Sequence, residues 1–157
     1  RLYRAYFLRI PDQGGLAFWI GKRRAGTSLT AISNSFAASA EFKNRYGTVS
    51  NATFVNLVYE NVLGRAGDAG GLTYWNGQLN SKKSTRGQMM IGFSESAEYK
   101  GQQASNVTSS VLYSLLLGRA PTTNDSFNTG AQLSLGLSLT GYVDLFLITP
   151  EYLTHIS

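Results

Sequence analysis

Two adjacent aromatic pairs are the residues of this chain best suited to binding chemistry. Phe18-Trp19 and Tyr74-Trp75 stand at matching places in two similar stretches of sequence. Neighbouring residues on a helix project about 100° apart, so one ring of each pair can be exposed while the other is buried. An exposed ring can stack on the face of a sugar. The alternative is that both rings of a pair serve the core, since aromatic side chains dominate protein cores.

Short basic clusters follow the aromatic pairs. Their members are Lys22, Arg23, Lys82 and Lys83. Beside a sugar-binding surface these cations would favour acidic polysaccharides. The alternative is that they complement the dipole at the carboxyl end of a helix. The clusters are too short to indicate a nucleic-acid partner, and no recognised motif accompanies them.

A shared motif, Arg-x-x-Asp-x-Gly-Gly, precedes each aromatic pair. Its residues are Arg9, Asp12, Gly14 and Gly15 in one stretch and Arg65, Asp68, Gly70 and Gly71 in the other. We predict that each aspartate caps a helix and that each arginine bridges its loop to a later glutamate. The expected pairs are Arg9 with Glu41, Arg65 with Glu98 and Arg119 with Glu151. We expect these pairs to be partly buried and to stabilise more than a surface salt bridge does.

The glycine pairs of this motif would lie in the first turn of a helix, where glycine is unfavourable. We therefore expect another group to approach this backbone closely, and a neighbouring helix is the first hypothesis. The alternative is an anion or a calcium ion, for which Asp-x-Gly-Gly could supply one ligand. A calcium loop needs alternating acidic ligands, which are absent, so we predict no metal and no other cofactor.

Catalytic chemistry is not indicated by the remaining residues. The chain has no cysteine, and its one histidine, His155, lies close to the carboxyl end, where chains are commonly mobile. No nucleophile has a base at a recognisable spacing, and paired carboxylates are scarce. The sequence therefore predicts a protein that is not an enzyme.

The two similar stretches belong to an internal repeat that must position these residues. Tyr3 matches Tyr59 and Trp19 matches Trp75 at an offset of 56 residues, and a third copy begins near Tyr113. A period of this kind indicates stacked supersecondary units that share a core. We predict three imperfect repeats of about 55 residues, over residues 1–47, 51–103 and 106–157, packed into a single domain.

Each repeat is predicted to contain about four short helices, so the fold should be all-α. In the second repeat, Asn51 or Thr53 should cap a helix over about residues 54–63, and Gly64 should end it. Asp68, then Ser84 or Thr85, then Ser96 should begin the next three helices. The third repeat is degenerate and has Thr129 in place of Trp75, which is typical of a terminal capping unit.

Composition indicates an exported protein. Charged residues make up only 15% of the chain, well below the usual quarter, so small polar residues must cover much of the surface. No apolar run approaches the roughly 20 residues that span a membrane, so no membrane insertion is expected. We expect the chain to be a segment of a longer protein whose export signal lies upstream.

The motif residues of the second repeat resemble a bacterial family known as domain of unknown function 4214. The residues that carry the resemblance are Tyr59, Leu63, Gly64, Arg65, Asp68, Gly71, Leu72, Tyr74, Trp75, Phe93, Ser96, Glu98 and Tyr99. The resemblance extends over nearly the whole chain and is partial in the third repeat. It implies a helical fold similar to the phycobilisome linker domain. It also implies a place in large exported and surface proteins, beside calcium-binding repeats, adhesin-like modules or hydrolases.

Two functions follow as hypotheses. The first is a non-catalytic binding or adhesion module of a bacterial surface protein, which recognises glycan through the aromatic pairs and the basic clusters. The second is a self-assembly or linker module that packs against copies of itself or neighbouring protein modules in an extracellular structure.

Overall fold

The fold is all-helical, as predicted. The computed structural model describes residues 1–157 and contains no strand. The helices are α1 (Leu2–Phe7), α2 (Gln13–Arg24), α3 (Leu29–Ala38), α4 (Ala40–Tyr46), α5 (Asn51–Val58), α6 (Ala69–Asn80), α7 (Arg86–Ser94), α8 (Ala97–Gln102), α9 (Ala104–Leu116), α10 (Thr123–Ser134), α11 (Leu139–Leu147) and α12 (Pro150–Ile156). A π-helical segment, Tyr59–Leu63, extends α5.

Side-chain oxygens begin most of these helices. The Asp68 carboxylate accepts the N–H of Gly71 at 2.8 Å and caps α6, and Asp12 does the same with Gly15 before α2. Of the two candidates before α7, Thr85 is the cap. The other hydroxyl caps are Ser28, Ser39, Ser50, Ser96, Thr122, Ser138 and Thr149.

The helix formed by α5 and its π-helical extension begins earlier than predicted. Ser50 caps α5 by accepting the N–H of Thr53 at 3.1 Å, so the expected caps Asn51 and Thr53 lie inside the helix. The prediction was wrong because Ser50 is itself a preferred cap and stands before both candidates. Gly64 ends the helix in the left-handed region at φ 69°, as expected.

The chain divides into two compact units. Unit 1 contains Arg1–Arg9 and Trp19–Gly101, and unit 2 contains Ile10–Phe18 and Gln102–Ser157. Both tryptophans of the chain, Trp19 and Trp75, belong to unit 1.

The core of unit 1 combines residues of the first two predicted repeats. Phe36 of α3, Phe54 of α5 and Met89 of α7 are buried in one continuous cluster. Helices α3 and α7 approach closely, since the Ser33 hydroxyl donates to the Gly87 carbonyl at 2.9 Å. A buried hydrogen bond between the Ser33 hydroxyl and the Tyr6 phenol connects α1 to the contact between α3 and α7. Burial raises the pKa of Tyr6 to about 12, so this phenol stays neutral.

The core of unit 2 is much smaller. Its buried cluster consists of Leu112, Tyr113, Leu117, Tyr142 and Phe146. The rings of Tyr113 and Phe146 meet edge to face at 4.9 Å and join α9 to α11. Many other apolar side chains of this unit therefore lie outside its core.

Candidate functional site

The second aromatic pair divides between core and solvent. The Trp75 indole is half-buried against α7, where a Cβ on Gly92 would lie 3.1 Å from its Cη2 atom. The ring of Tyr74 is 57% exposed and meets Trp75 edge to face at 5.1 Å. The interpretation that both rings are core residues is therefore wrong for Tyr74, because the adjacent position on α6 turns away from α7.

The first aromatic pair has the same division of exposure. Trp19 is half-buried and meets Phe36 edge to face at 4.7 Å, whereas Phe18 is 54% exposed. One ring of each pair is thus exposed.

The basic residues lie away from the exposed tyrosine ring. Lys82 and Lys83 are exposed beyond the end of α6, about two helical turns after Tyr74. Lys22 and Arg23 are exposed in the last turn of α2, where Arg23 donates to the Thr27 carbonyl at 3.3 Å. The side chains that the sequence suggested as one binding surface are therefore spread along their helices.

The glycine pair of the second repeat is approached by a neighbouring helix, as expected, through the Tyr59 side chain of the π-helical extension of α5. A Cβ on Gly71 would lie 2.0 Å from the Tyr59 hydroxyl oxygen. By contrast, the nearest atom to a Cβ on Gly70 or Gly14 belongs to the capping aspartate, at 3.4 Å in both cases. The nearest atoms around Gly15 are likewise those of Asp12. Of these four positions, only Gly71 must therefore be glycine because another side chain lies too close for a Cβ atom.

All three expected arginine–glutamate pairs are formed with the same two-pronged geometry. Arg9 donates to both carboxylate oxygens of Glu41 at 3.0 Å, and Arg65 donates to those of Glu98 at 2.7 and 2.8 Å. Arg119 donates to Glu151 at 2.6 and 3.1 Å. The third arginine also contacts Asp125 at 2.8 Å. These pairs tie the loop of each predicted repeat to its last helix.

The pairs are more exposed than we expected. The side chains of Arg65 and Glu98 are 43% and 38% exposed, so water screens their attraction and the pair is of the surface kind. The expectation of a larger, partly buried contribution is therefore wrong for this pair. The physical reason is that the guanidinium covers the ring of Tyr59 from outside, 5.4 Å from its centre.

Acid should weaken these contacts. Hydrogen bonds from the arginines lower the pKa of Glu41, Glu98 and Glu151 below the ordinary value. Stability from lowered carboxyl pKa values is present above the unfolded pKa, about 4.3, and is lost as the pH falls through the folded value. We expect the free energy of unfolding to fall between about pH 5 and pH 3, as measured by urea denaturation.

A matched pair of variants isolates the contribution of Glu98. Glu98→Gln should flatten the fall in stability with acid, because the amide does not titrate. Glu60→Gln, which changes an exposed carboxylate outside the three pairs, should leave the profile unchanged. Equal profiles for both variants and the parent would contradict the assignment.

Unit 2 contains a cleft of about 340 Å³ between α10 and α11. Its lining includes Tyr113, Asn128, Gln132, Tyr142, Leu145 and Phe146. The phenol of one lining residue, Tyr142, shares a 3.1 Å hydrogen bond with the fully buried Thr129 hydroxyl. Sequence reasoning did not find this cleft, although the replacement of Trp75 by Thr129 was its visible signal.

Unit 2 also carries most of the exposed apolar side chains. Nine of them lie in α9 to α12 and the loops between, each about half exposed or more: Val111, Leu115, Phe127, Leu135, Leu139, Leu145, Ile148, Leu153 and Ile156. In unit 1 only Ile20 and Tyr74 are large, apolar and exposed. A capping unit needs a polar outer face, so this surface does not match that expectation.

No group of three or more histidine, aspartate or glutamate side chains is arranged to hold a metal ion. None of the helices combines the length and the apolar character needed to cross a membrane.

The fold defines an all-helical protein with ion-paired loops and half-buried tryptophans. Within it, residues 33–103 match the model of the family described as Domain of unknown function (DUF4214). The resemblance seen in the sequence is therefore confirmed for this segment, which covers the end of the first predicted repeat and the whole second one. Neither the curated proteins nor the solved structures contain a match.

Proposed function

We propose that this chain is a non-catalytic assembly module that binds a second copy of itself through the outer face of α11. The observation that carries the proposal is the incompletely buried face of α11 at Thr140, Val143 and Leu147, in a unit that also exposes many large apolar side chains. Such residues are ordinary when scattered singly, but a concentration of them is typical of a protein interaction site.

A comparison of α7 with α11 supports this choice of face. On α7, Gly87 contacts α3, and Met90 and Ser94, which follow it at helical spacing on the same side, are also buried. The residues at the corresponding positions of α11 are Thr140, Val143 and Leu147. Thr140 is exposed and the other two are half-buried. This face of α11, which we call its outer face, is therefore less completely buried than its counterpart on α7.

The same comparison supports a second copy of the chain as the partner that binds this face. In unit 1 the third helix of one predicted repeat packs on the third helix of the next, α3 on α7. The helix α11 is the third helix of the last predicted repeat. A second copy would supply an identical α11, and a pair of identical faces gives a closed two-fold dimer. Val143 and Leu147, four residues apart, would supply apolar contact area across it.

The experiment is sedimentation velocity across a range of protein concentrations. We expect a monomer–dimer equilibrium that Thr140→Lys weakens at least tenfold, since two-fold symmetry brings like charges together. Thr140 is exposed, so the lysine should not disturb folding. As a control, Leu135→Ser removes an exposed apolar side chain from the loop before α11 and should leave the equilibrium unchanged. A monomer at all concentrations would refute the proposal.

Glycan binding is a second candidate, favoured by one observation, the exposed ring of Tyr74 on the edge of Trp75. A sugar stacked on this ring should change the fluorescence of Trp75. The test is titration with neutral and acidic polysaccharides, with Tyr74→Ala as the variant that should remove the response. No fluorescence or calorimetric response to any of them would remove this candidate.

An extracellular or cell-surface location is part of both proposals. It rests on the low content of charged residues, 15% of the chain, which leaves small polar residues to cover the surface. Fractionation of the source cells, with detection by an antibody against this chain, tests it. Recovery of the protein only from the cytoplasmic fraction would contradict it.

A further inference from the structure

The cleft of unit 2 occupies the place that a tryptophan fills in unit 1. In unit 1 the Trp75 indole lies between α6 and α7, on Gly92 and beside Phe93. Along the third predicted repeat, Thr129 of α10 corresponds to Trp75, and Leu145 and Phe146 of α11 correspond to Gly92 and Phe93. The cleft lies between those two helices and is lined by the last two residues.

The cleft is only partly refilled by the side chains of unit 2. Tyr142 lines the cleft, and its phenol shares a hydrogen bond with the hydroxyl of the buried Thr129. Tyr142 and Phe146 are almost fully buried, whereas Leu145 is 51% exposed at the side. The remaining volume of about 340 Å³ is within the range of small-ligand sites.

The cleft joins an apolar floor to a polar rim. Rings of Tyr113, Tyr142 and Phe146 form the floor, and the exposed amides of Asn128 and Gln132 stand on its α10 side. These amides are one helical turn apart and share a face. An indole or phenol ring bound on the floor could bond its N–H or O–H to an amide oxygen, as such groups usually do when buried.

We propose that this cleft binds an aromatic side chain, tryptophan or tyrosine, presented by a partner polypeptide. The occupant follows from the equivalent position in unit 1, where the chain itself inserts an indole. A large ring in a central pocket is also the commonest anchor of a protein interface. This inference goes beyond self-association through α11, because the cleft would bind such a ring whether or not the chain forms a dimer.

The test uses the whole chain and N-acetyl-tryptophanamide as the probe. We expect two-dimensional NMR of the ¹⁵N-labelled protein to show saturable shifts confined to amides around the cleft, near Tyr113 of α9, in α10 and α11, and at the start of α12. The double variant Thr129→Trp with Leu145→Gly recreates the unit 1 pair of indole and glycine. It should weaken binding of the probe at least tenfold, because its own indole fills the cleft.

Two further variants keep the result interpretable. If the double variant does not fold, Leu145→Trp, at a half-exposed position, should cover the cleft and reduce binding likewise. Lys83→Gln in unit 1 is the control and should bind as the parent does. Thr140→Lys should also bind the probe normally, which separates this site from the proposed dimer contact.

Three outcomes would overturn the proposal. One is the absence of shifts up to the solubility limit of the probe. Another is a set of shifts spread over unit 1. The third is a response of the α10 and α11 amides to methyl glycosides but not to the tryptophan derivative, which would make the cleft a sugar site.

Discussion

Phe36→Ala should lower the free energy of unfolding of unit 1 by about 3–5 kcal/mol, the usual range for a deleted core ring. Phe36 is only 3% exposed and meets four other rings, with centres 4.7–5.6 Å away: Tyr3, Tyr6, Phe7 and Trp19. Its loss would leave a cavity where α1, α2 and α3 converge, and such tightly packed rings can only partly relax into it.

Tryptophan fluorescence during urea denaturation is the right measurement for this variant. Both tryptophans lie in unit 1, so the signal reports on that unit alone. Leu135→Ala, at a position 83% exposed in unit 2, is the control and should change the transition by less than about 0.5 kcal/mol. A change below about 1 kcal/mol for Phe36→Ala would mean that the ring cluster does not determine the stability of unit 1.

Gly71→Ala should destabilise unit 1 by about 1–3 kcal/mol through overpacking. The new methyl group would overlap the Tyr59 hydroxyl, whose oxygen lies 2.0 Å from the ideal Cβ position. Tyr59 has little room to withdraw, because its ring is 5% exposed and packs on Phe93 at 4.8 Å. This strain should exceed the gain of about 1 kcal/mol that alanine otherwise brings to a helix.

Gly70→Ala is the matched control, one residue earlier in the same helical turn. Its Cβ would meet only Asp68, at the ordinary contact distance of 3.4 Å. We therefore expect no loss of stability, and a gain of up to about 1 kcal/mol from helix propensity. The same fluorescence measurement compares the two variants. Equal effects at both positions would show that Tyr59 moves aside without penalty.

Local signals allowed much of this fold to be predicted from sequence. The Arg65–Glu98 pair was predictable because arginine and glutamate recur together, and Asp68 and Gly64 are typical residues for a helix start and end. The π-helical turn at Tyr59–Leu63 could not be predicted, because the spacing of apolar residues there fits an α-helix equally well. A glycine such as Gly71 shows that something approaches, but not which group.

The binding surfaces were less predictable than the helices. The spacing of Tyr142 and Phe146 indicates a core face on α11, but the pattern does not tell whether a neighbouring helix covers Leu145 or Val143. That depends on tertiary packing, which places α3 against α7 but leaves Thr140 and Leu145 of α11 exposed. The cleft at Thr129 likewise depends on the absence of a large side chain at this position. The sequence shows the absence, but only the structure gives the volume that is left open.

The use of hydroxyl groups as helix caps has a consequence for the conditions that the protein can withstand. Of ten side-chain caps, eight are uncharged serine or threonine hydroxyls, and only Asp12 and Asp68 are ionised. Dissolved ions screen charges but leave neutral hydrogen bonds almost untouched. Helices capped by hydroxyl groups should therefore keep their capping hydrogen bonds at high as well as at low salt concentration. A chain with so few charges is thus suited to surroundings of changing salinity.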